Sequence, residues 1–308
     1  MPYICVRGIE HYYEWIKAQD DAKVKPIMVF IHGWAGSARY WESTAKALVD
    51  DFDCLLYDMR GFGRSSGRSP LPTASMAVAD APAPREQAQA VEELTYELDE
   101  YARDLAALLD ALKIERIYLN AHSTGASVAT LFLNLYPERV EKAILTCSGV
   151  FEYDEKGFAA FHKFGGYVVK FRPKWLAKIP LIDRIFMARF LRRSIPAAER
   201  QAFLEDFLMA DEQAALGTMV TAVSKTAAEV MPQEFAKLTV PTLLVAGEYD
   251  QIIPAHMGRQ AAAMSDKVEF VPISNTAHFP MLEDSKTYLQ HVRKFLQIEE
   301  GEEGREKN

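Results

Sequence analysis

Cysteine is scarce in this 308-residue chain: there are three, Cys5, Cys54 and Cys147, an odd number set far apart. Such spacing excludes a disulfide scaffold and fits reduced thiols in a reducing, cytoplasmic compartment. No apolar run is long enough to span a bilayer. The first residues, MPYICVRGIEHYYEWIK, lack a basic stretch followed by an apolar one, so no signal peptide is expected. Metal-spaced His, Cys and carboxylate clusters and Gly-rich phosphate loops are also missing, which argues against a metal or a nucleotide cofactor. Excess positive charge is absent: 35 Lys and Arg stand against 43 Asp and Glu, a net charge of −8, so no general nucleic-acid footprint is expected. What remains is an ordinary globular composition, 49% hydrophobic and 25% charged, in a chain long enough for one large domain or two modest ones.

Short apolar runs alternate with helical patterns through the first half. Ile27–Ile31, Cys54–Tyr57, Ile117–Leu119 and Ala143–Cys147 read as strands buried on both faces of a parallel sheet. Leu98, Tyr101, Leu105, Leu108 and Leu112 recur at helical spacing, and a helix after Ser123 must end at Pro137. Beyond Gly149 the alternation stops, and 151–232 reads as helices alone. It resumes with strands at Thr242–Gly247 and Val268–Val271 and a last helix carrying Tyr288, Val292, Phe295 and Leu296 on one face. Tyr3–Val6 and His11–Lys17 look like two edge strands. The expected organisation is an α/β core of 1–150 and 233–298, a helical cap at 151–232, a flexible Pro- and Ala-rich loop at 66–84 and a charged tail at 299–308.

Asn120-Ala121-His122-Ser123-Thr124-Gly125-Ala126 lies between a predicted strand and a predicted helix, with small residues two positions either side of a serine. A tight turn there holds the hydroxyl off the backbone at a helix N-terminus. Taken alone, the stretch equally fits a plain junction with a serine N-cap. Further segments weigh on the choice. Phe30-Ile31-His32-Gly33-Trp34 follows the first buried strand, and a permissive backbone at Gly33 would aim the Trp34 N–H inward, to hold a developing oxyanion with the Thr124 N–H. Gly247-Glu248-Tyr249-Asp250 and Asn275-Thr276-Ala277-His278 each follow a later strand. Serine, acid and histidine thus all fall just past strand C-termini, which parallel strands bring to one edge.

The segments HGW, DMRGFGRSS, AHSTGA, GEYDQIIP and NTAHF, in that order, resemble the α/β-hydrolase family from about Tyr3 to Leu296. The resemblance implies a mostly parallel, doubly wound sheet of about eight strands with an inserted helical cap, and no cofactor. By the same resemblance Ser123 is the nucleophile, His278 the general base, Asp250 the acid that orients it, and Trp34 and Thr124 the oxyanion donors. Glu248 is the alternative acid. Two positions depart from the family pattern: Ala121 stands first in the usual G-x-S-x-G, and Asn275 replaces a glycine three residues before the histidine. Asn is among the few residues that accept a left-handed backbone. A serine at 123 excludes relatives that attack with aspartate, such as epoxide hydrolases and haloalkane dehalogenases. The implied activity is cleavage of a hydrophobic small-molecule or lipid ester through an acyl-serine. Carbon–carbon hydrolysis, acyl transfer by the same triad, and a non-catalytic ligand-binding role remain open alternatives.

The other histidines read as structural. His32 is expected to hold its turn, and Asp58 and Arg60 to fix the one below the site. His256 is expected to start a helix, and His11, His162 and His291 to lie at the surface. His122 is expected to face the pocket or pack under the cap, with Phe186, Met187 and Phe190 making the pocket apolar. Between His162 and Pro196, nine basic residues and one acid, Asp183, give a local charge of +8, interleaved with Phe164, Tyr167, Phe171, Trp175, Phe186 and Phe190. Such a stretch either packs its aromatics inward under a solvated basic face or makes a peripheral contact with an anionic membrane.

Overall fold

In the computed structural model, which describes residues 2–19, 24–67 and 94–298, the apolar runs form an eight-stranded sheet. The strands are β1 (Tyr3–Val6), β2 (Ile9–Ile16), β3 (Ile27–Ile31), β4 (Asp53–Tyr57), β5 (Ile117–His122), β6 (Val140–Thr146), β7 (Thr242–Gly247) and β8 (Val268–Ile273). Their order across the sheet is β1-β2-β4-β3-β5-β6-β7-β8. β2 runs antiparallel to both neighbours, and every pairing from β4 to β8 is parallel. The loop expected at 66–84 lies outside the described residues from position 68 on, as does the tail.

Eleven α-helices are found among the described residues. They are α1 (Glu42–Lys46), α2 (Leu98–Ala111), α3 (Thr124–Leu135), α4 (Glu155–Lys170), α5 (Ile182–Met187), α6 (Ala197–Met209), α7 (Glu212–Ala222), α8 (Lys225–Ala236), α9 (Ala255–Ala262), α10 (Pro280–Glu283) and α11 (Ser285–Leu296). Helices α4 to α8 occupy the interval between β6 and β7, with α8 continuing across position 232 to Ala236. No helix among the described residues is long and apolar enough to cross a membrane.

Strand periodicity divides the core between two faces. Val29, Ile31, Leu55, Leu119 and Leu145 point into one apolar cluster with Leu105 of α2 and Phe132 of α3. Met28, Phe30, Leu56, Ile144 and Leu243 point into a second, with Trp41 and with Tyr288, Val292 and Leu296 of α11. This is why the central strands carry no alternation: both faces are covered. Two expectations need correction. β2 is not an edge strand, since it pairs with β1 on one side and β4 on the other. His11, which it carries, is accordingly buried rather than at the surface, with Nδ1 3.1 Å from the Ile9 carbonyl oxygen. His162 and His291 are half-buried, and His256 is exposed at the start of α9.

The parallel strands end at one edge, and their closing turns touch there. A Cβ added to Gly247, the last residue of β7, would lie 1.8 Å from the carbonyl oxygen of Ala277, the residue before His278. Gly247→Ala is expected to lower stability by about 1–3 kcal/mol through forced separation of the two turns. Urea denaturation measures it, and an unchanged unfolding free energy would contradict the close approach.

Candidate active site

Ser123 sits between β5 and α3 with φ 55° and ψ −124°, a backbone region that a non-glycine residue occupies at a cost of about 1–3 kcal/mol. Its surroundings enforce the turn. The Ser123 N–H donates to the Thr146 carbonyl on β6 (2.9 Å). A side chain on Gly125 would place Cβ 2.3 Å from the His32 carbonyl oxygen, so helix and neighbouring strand touch backbone to backbone. Ala121, in place of the more usual glycine, is fully buried in strand β5 between Ile31 of β3 and Leu145 of β6.

His278 lies 155 residues further along, yet its Nε2 is 3.0 Å from Ser123 Oγ. Its Nδ1 is 2.7 Å from Asp250 Oδ2. An ionised carboxylate only accepts, so Nδ1–H donates to Asp250 and Nε2 is left to accept the serine proton. Burial alone would raise the Asp250 carboxyl. The His278 imidazole and the Ile252 and Ile253 N–H groups, 2.8 and 3.1 Å from Oδ1, outweigh it and hold the group below its ordinary value. Glu248, the alternative acid, is exposed and accepts the Asn275 N–H instead (2.8 Å). Asn275 adopts the left-handed backbone its identity allows, φ 57°.

A brace behind His278 was not legible in the sequence. Glu283 of α10, 8% exposed, accepts the Ala277 N–H (2.8 Å) on one oxygen and the Arg192 and Arg193 N–H groups (2.6 and 2.7 Å) on the other. One carboxylate thereby ties the histidine turn to the helical insertion. The His278 N–H donates to the Phe190 carbonyl (2.9 Å), a second such tie.

Thr124 opens α3, where the first N–H groups have no partner within the helix. The turn carrying Trp34 lies against Ser123, for a Cβ on Gly33 would be 3.1 Å from the serine Cβ. Trp34 is anchored by its indole N–H, which donates to the Ala215 carbonyl (2.9 Å). The expectation for Gly33 is corrected: the residue with positive φ in this turn is Ala35 (φ 55°), and Gly33 instead allows close packing, since a Cβ there would lie 3.0 Å from His122 Nδ1 and 3.1 Å from Ser123 Cβ. His32 accepts the Met59 N–H on Nε2 (2.8 Å) and so donates through Nδ1 to the Gly33 carbonyl (2.8 Å). Asp58 accepts the Ala38 and Arg64 N–H groups, while Arg60 pairs with Asp104 at 2.9 Å.

His122 is fully enclosed. Its Nε2–H donates to the His278 carbonyl (2.7 Å), so its Nδ1 accepts from the Tyr40 hydroxyl (3.0 Å), which in turn accepts the Gly33 N–H. Tyr40 and His122 thus link the Trp34 turn to the His278 turn. Cys147 completes a buried group in which one atom each of His122, Cys147 and His278 lies within 4.8 Å of the others. Both imidazoles already use both nitrogens in hydrogen bonds. Burial first, then the Asp250 charge, pushes the Cys147 thiol well above its ordinary value, so it stays protonated.

Aromatic rings wall the site. Phe190 lies 6.1 Å from the His278 ring and 6.0 Å from Phe203, which stands 5.1 Å from Phe279; Phe186 is 5.9 Å from Phe190. Met187 is buried in the apolar cluster that also holds Phe203 and Phe279. Tyr40, Phe203 and Phe279 were not singled out in the sequence. Phe279 is marked by its place beside His278, and Phe203 by pairing with Phe207 one turn on in α6.

Burial holds the His11, His32 and His122 imidazoles below the ordinary value of 6.5. They stay neutral in the folded chain and gain protons on unfolding, so their contribution is complete above about pH 6.5 and is lost as pH falls. Unfolding free energy is expected to drop between about pH 7 and pH 5, by up to ~1.4 kcal/mol per pH unit for each ring. Urea titration across that range checks it; a flat profile would contradict the neutral assignments.

The family model for the alpha/beta hydrolase fold matches residues 26–285. An uncharacterized hydrolase of Bacillus subtilis, YugF, is 20% identical, the match covering 94% of this chain and 96% of that protein. The pimeloyl-[acyl-carrier protein] methyl ester esterase of Vibrio cholerae is 21% identical over 87% of this chain and 93% of its own. Among solved structures, the enol-lactonase of Burkholderia xenovorans superposes with a TM-score of 0.70 over 96% of this chain and all of its own (100%), at 19% identity. With a strained serine turn at the sheet edge and a family match across most of its length, this chain belongs to the alpha/beta hydrolase fold family.

Proposed function

We propose that the protein is a serine hydrolase of carboxylic esters with an apolar acyl or alcohol part. The observation that carries this reading is the continuous hydrogen-bonded line from Asp250 through His278 to Ser123 Oγ. A serine hydroxyl is a weak nucleophile at neutral pH and needs an adjacent base. As Ser123 Oγ attacks the ester carbonyl, its proton passes to His278 Nε2, and Asp250 stabilises the imidazolium. The carbonyl oxygen becomes an oxyanion that accepts from the Trp34 and Thr124 N–H groups. On collapse, His278 returns the proton to the departing alkoxide, which leaves as the alcohol. Water then attacks the acyl-serine with His278 again as base, releasing the carboxylic acid and restoring Ser123.

The wall of Phe186, Phe190, Phe203 and Phe279 supports an apolar substrate, since apolar surface leaving water favours binding. In this reading the helices between β6 and β7 act as a cap over the nucleophile. Two relatives, an esterase and an enol-lactonase, are named for breaking carbon–oxygen bonds of this kind.

Turnover of p-nitrophenyl esters is expected to fall on the order of 10⁶-fold in Ser123→Ala and about 10⁴-fold in Asp250→Asn. In the wild type, kcat/KM should rise from the acetate to longer acyl chains. Hydrolysis that persists in Ser123→Ala would overturn the nucleophile assignment, and a preference for the acetate would overturn the apolar pocket.

A further inference from the structure

The basic, aromatic-rich stretch of the insertion is divided between two environments. Phe186 and Phe190 turn in towards His278, whereas Phe164, Phe171, Trp175 and Ile185 are 68%, 75%, 60% and 70% exposed. On α4 the exposed residues form a stripe: Phe161, Phe164, Tyr167 and Val168, then Phe171 just past the helix end, recur at three- and four-residue spacing. The opposite face of α4 is docked. There Val169 is buried, His162 Nε2–H donates to the Val223 carbonyl (2.6 Å), and the bare Cα of Gly165 admits Met219 of α7, whose sulfur a Cβ would meet at 2.5 Å. α4 therefore docks its inner face on α7 and keeps its apolar stripe outward. A contiguous exposed apolar stripe flanked by charged residues marks an interaction surface.

Charge selects the partner. Arg172 is committed to the Val169, Phe207 and Ala210 carbonyls, Arg192 lies 4.8 Å from the Tyr249 ring, and Arg193 pairs with Asp284 at 2.8 Å. Lys163, Lys170, Lys174, Lys178, Arg184 and Arg189 are exposed and have no ion-pair or hydrogen-bond partner among the described residues. Asp183, the one acid of the stretch, is taken by Arg200 at 2.8 Å. Free cations interleaved with unburied rings suit an interface that is anionic at its surface and apolar beneath, where aromatic rings sit at the boundary and lysine stems reach up to the headgroups. A symmetric second copy would set like charges against one another.

We propose that the outward face of residues 161–185 docks on an anionic lipid surface. Docking stands apart from the catalytic reading; if both hold, the same stretch of chain runs from the bilayer to the rings around His278 and receives lipophilic esters there.

Co-sedimentation of the full-length protein with phosphatidylcholine vesicles, with and without phosphatidylserine, tests this. Binding is expected to the serine-lipid vesicles and to weaken with salt. It should weaken about fivefold for each of Lys163→Gln, Lys170→Gln and Lys174→Gln, the equivalent of ~1 kcal/mol per basic residue at an anionic leaflet. It should be lost when Phe164, Phe171 and Trp175 are together replaced by serine. Hydrolysis of a soluble short-chain ester by these variants should match wild type, which separates failure of docking from failure of the esterase reading. Absence of binding at low salt, or binding indifferent to both sets of substitutions, overturns the proposal. So does a dimer in solution that the same substitutions dissociate, which would assign the face to a second copy.

Discussion

Two hydrogen bonds on one imidazole, His278 Nδ1–H donating to Asp250 and Nε2 accepting from the Ser123 hydroxyl, require three side chains from distant parts of the chain to meet within hydrogen-bond reach. Parallel strands meet that constraint directly. β5, β7 and β8 all end at the same edge of the sheet, so the residues just beyond them share one surface. Much else in the fold follows from this. The strands must be buried on both faces, which explains their unbroken apolar runs, and the turns after them must be tight, which explains glycine at 125 and 247 and left-handed backbone at Ser123 and Asn275.

Tight turns at a sheet edge do not hold themselves, and the structure spreads the restraint over several polar side chains, most of them buried. Glu283 fastens the turn before His278 and the insertion together. Glu248 holds Asn275, and Tyr40 with His122 joins the Trp34 turn to the His278 carbonyl. Glu283, Tyr40 and His122 are each satisfied on both sides. A half-satisfied buried network of this kind would favour other arrangements of the same turns.

The strands, the large helices and the three residues of the proposed triad could be read from the sequence because each leaves a local mark: an apolar run, a helical period, or a short motif past a strand end. What escaped is relational. The burial of His11 depends on β2 lying second in the sheet, and strand order is not written in any single strand. The close packing at Gly33 is invisible locally, because its neighbour across the gap, His122, lies 89 residues later. Glu283 and Tyr40 belong to no motif and matter through backbone groups they reach only after folding. The aromatics of the insertion share one composition, yet only the packed helices separate rings near His278 from rings in water.

The insertion brings an apolar wall to the proposed triad at the sheet edge and carries a separate, basic, apolar outer face. In the proposed reaction Ser123 carries the acyl group during turnover. The most direct measurement is peptide mass spectrometry on enzyme acid-quenched during hydrolysis of a slow p-nitrophenyl ester. A mass gain equal to one acyl group is expected on the peptide containing Ser123, disappearing as substrate is exhausted. Steady turnover with no acylated Ser123 peptide, or an acyl group carried by another residue, would contradict it.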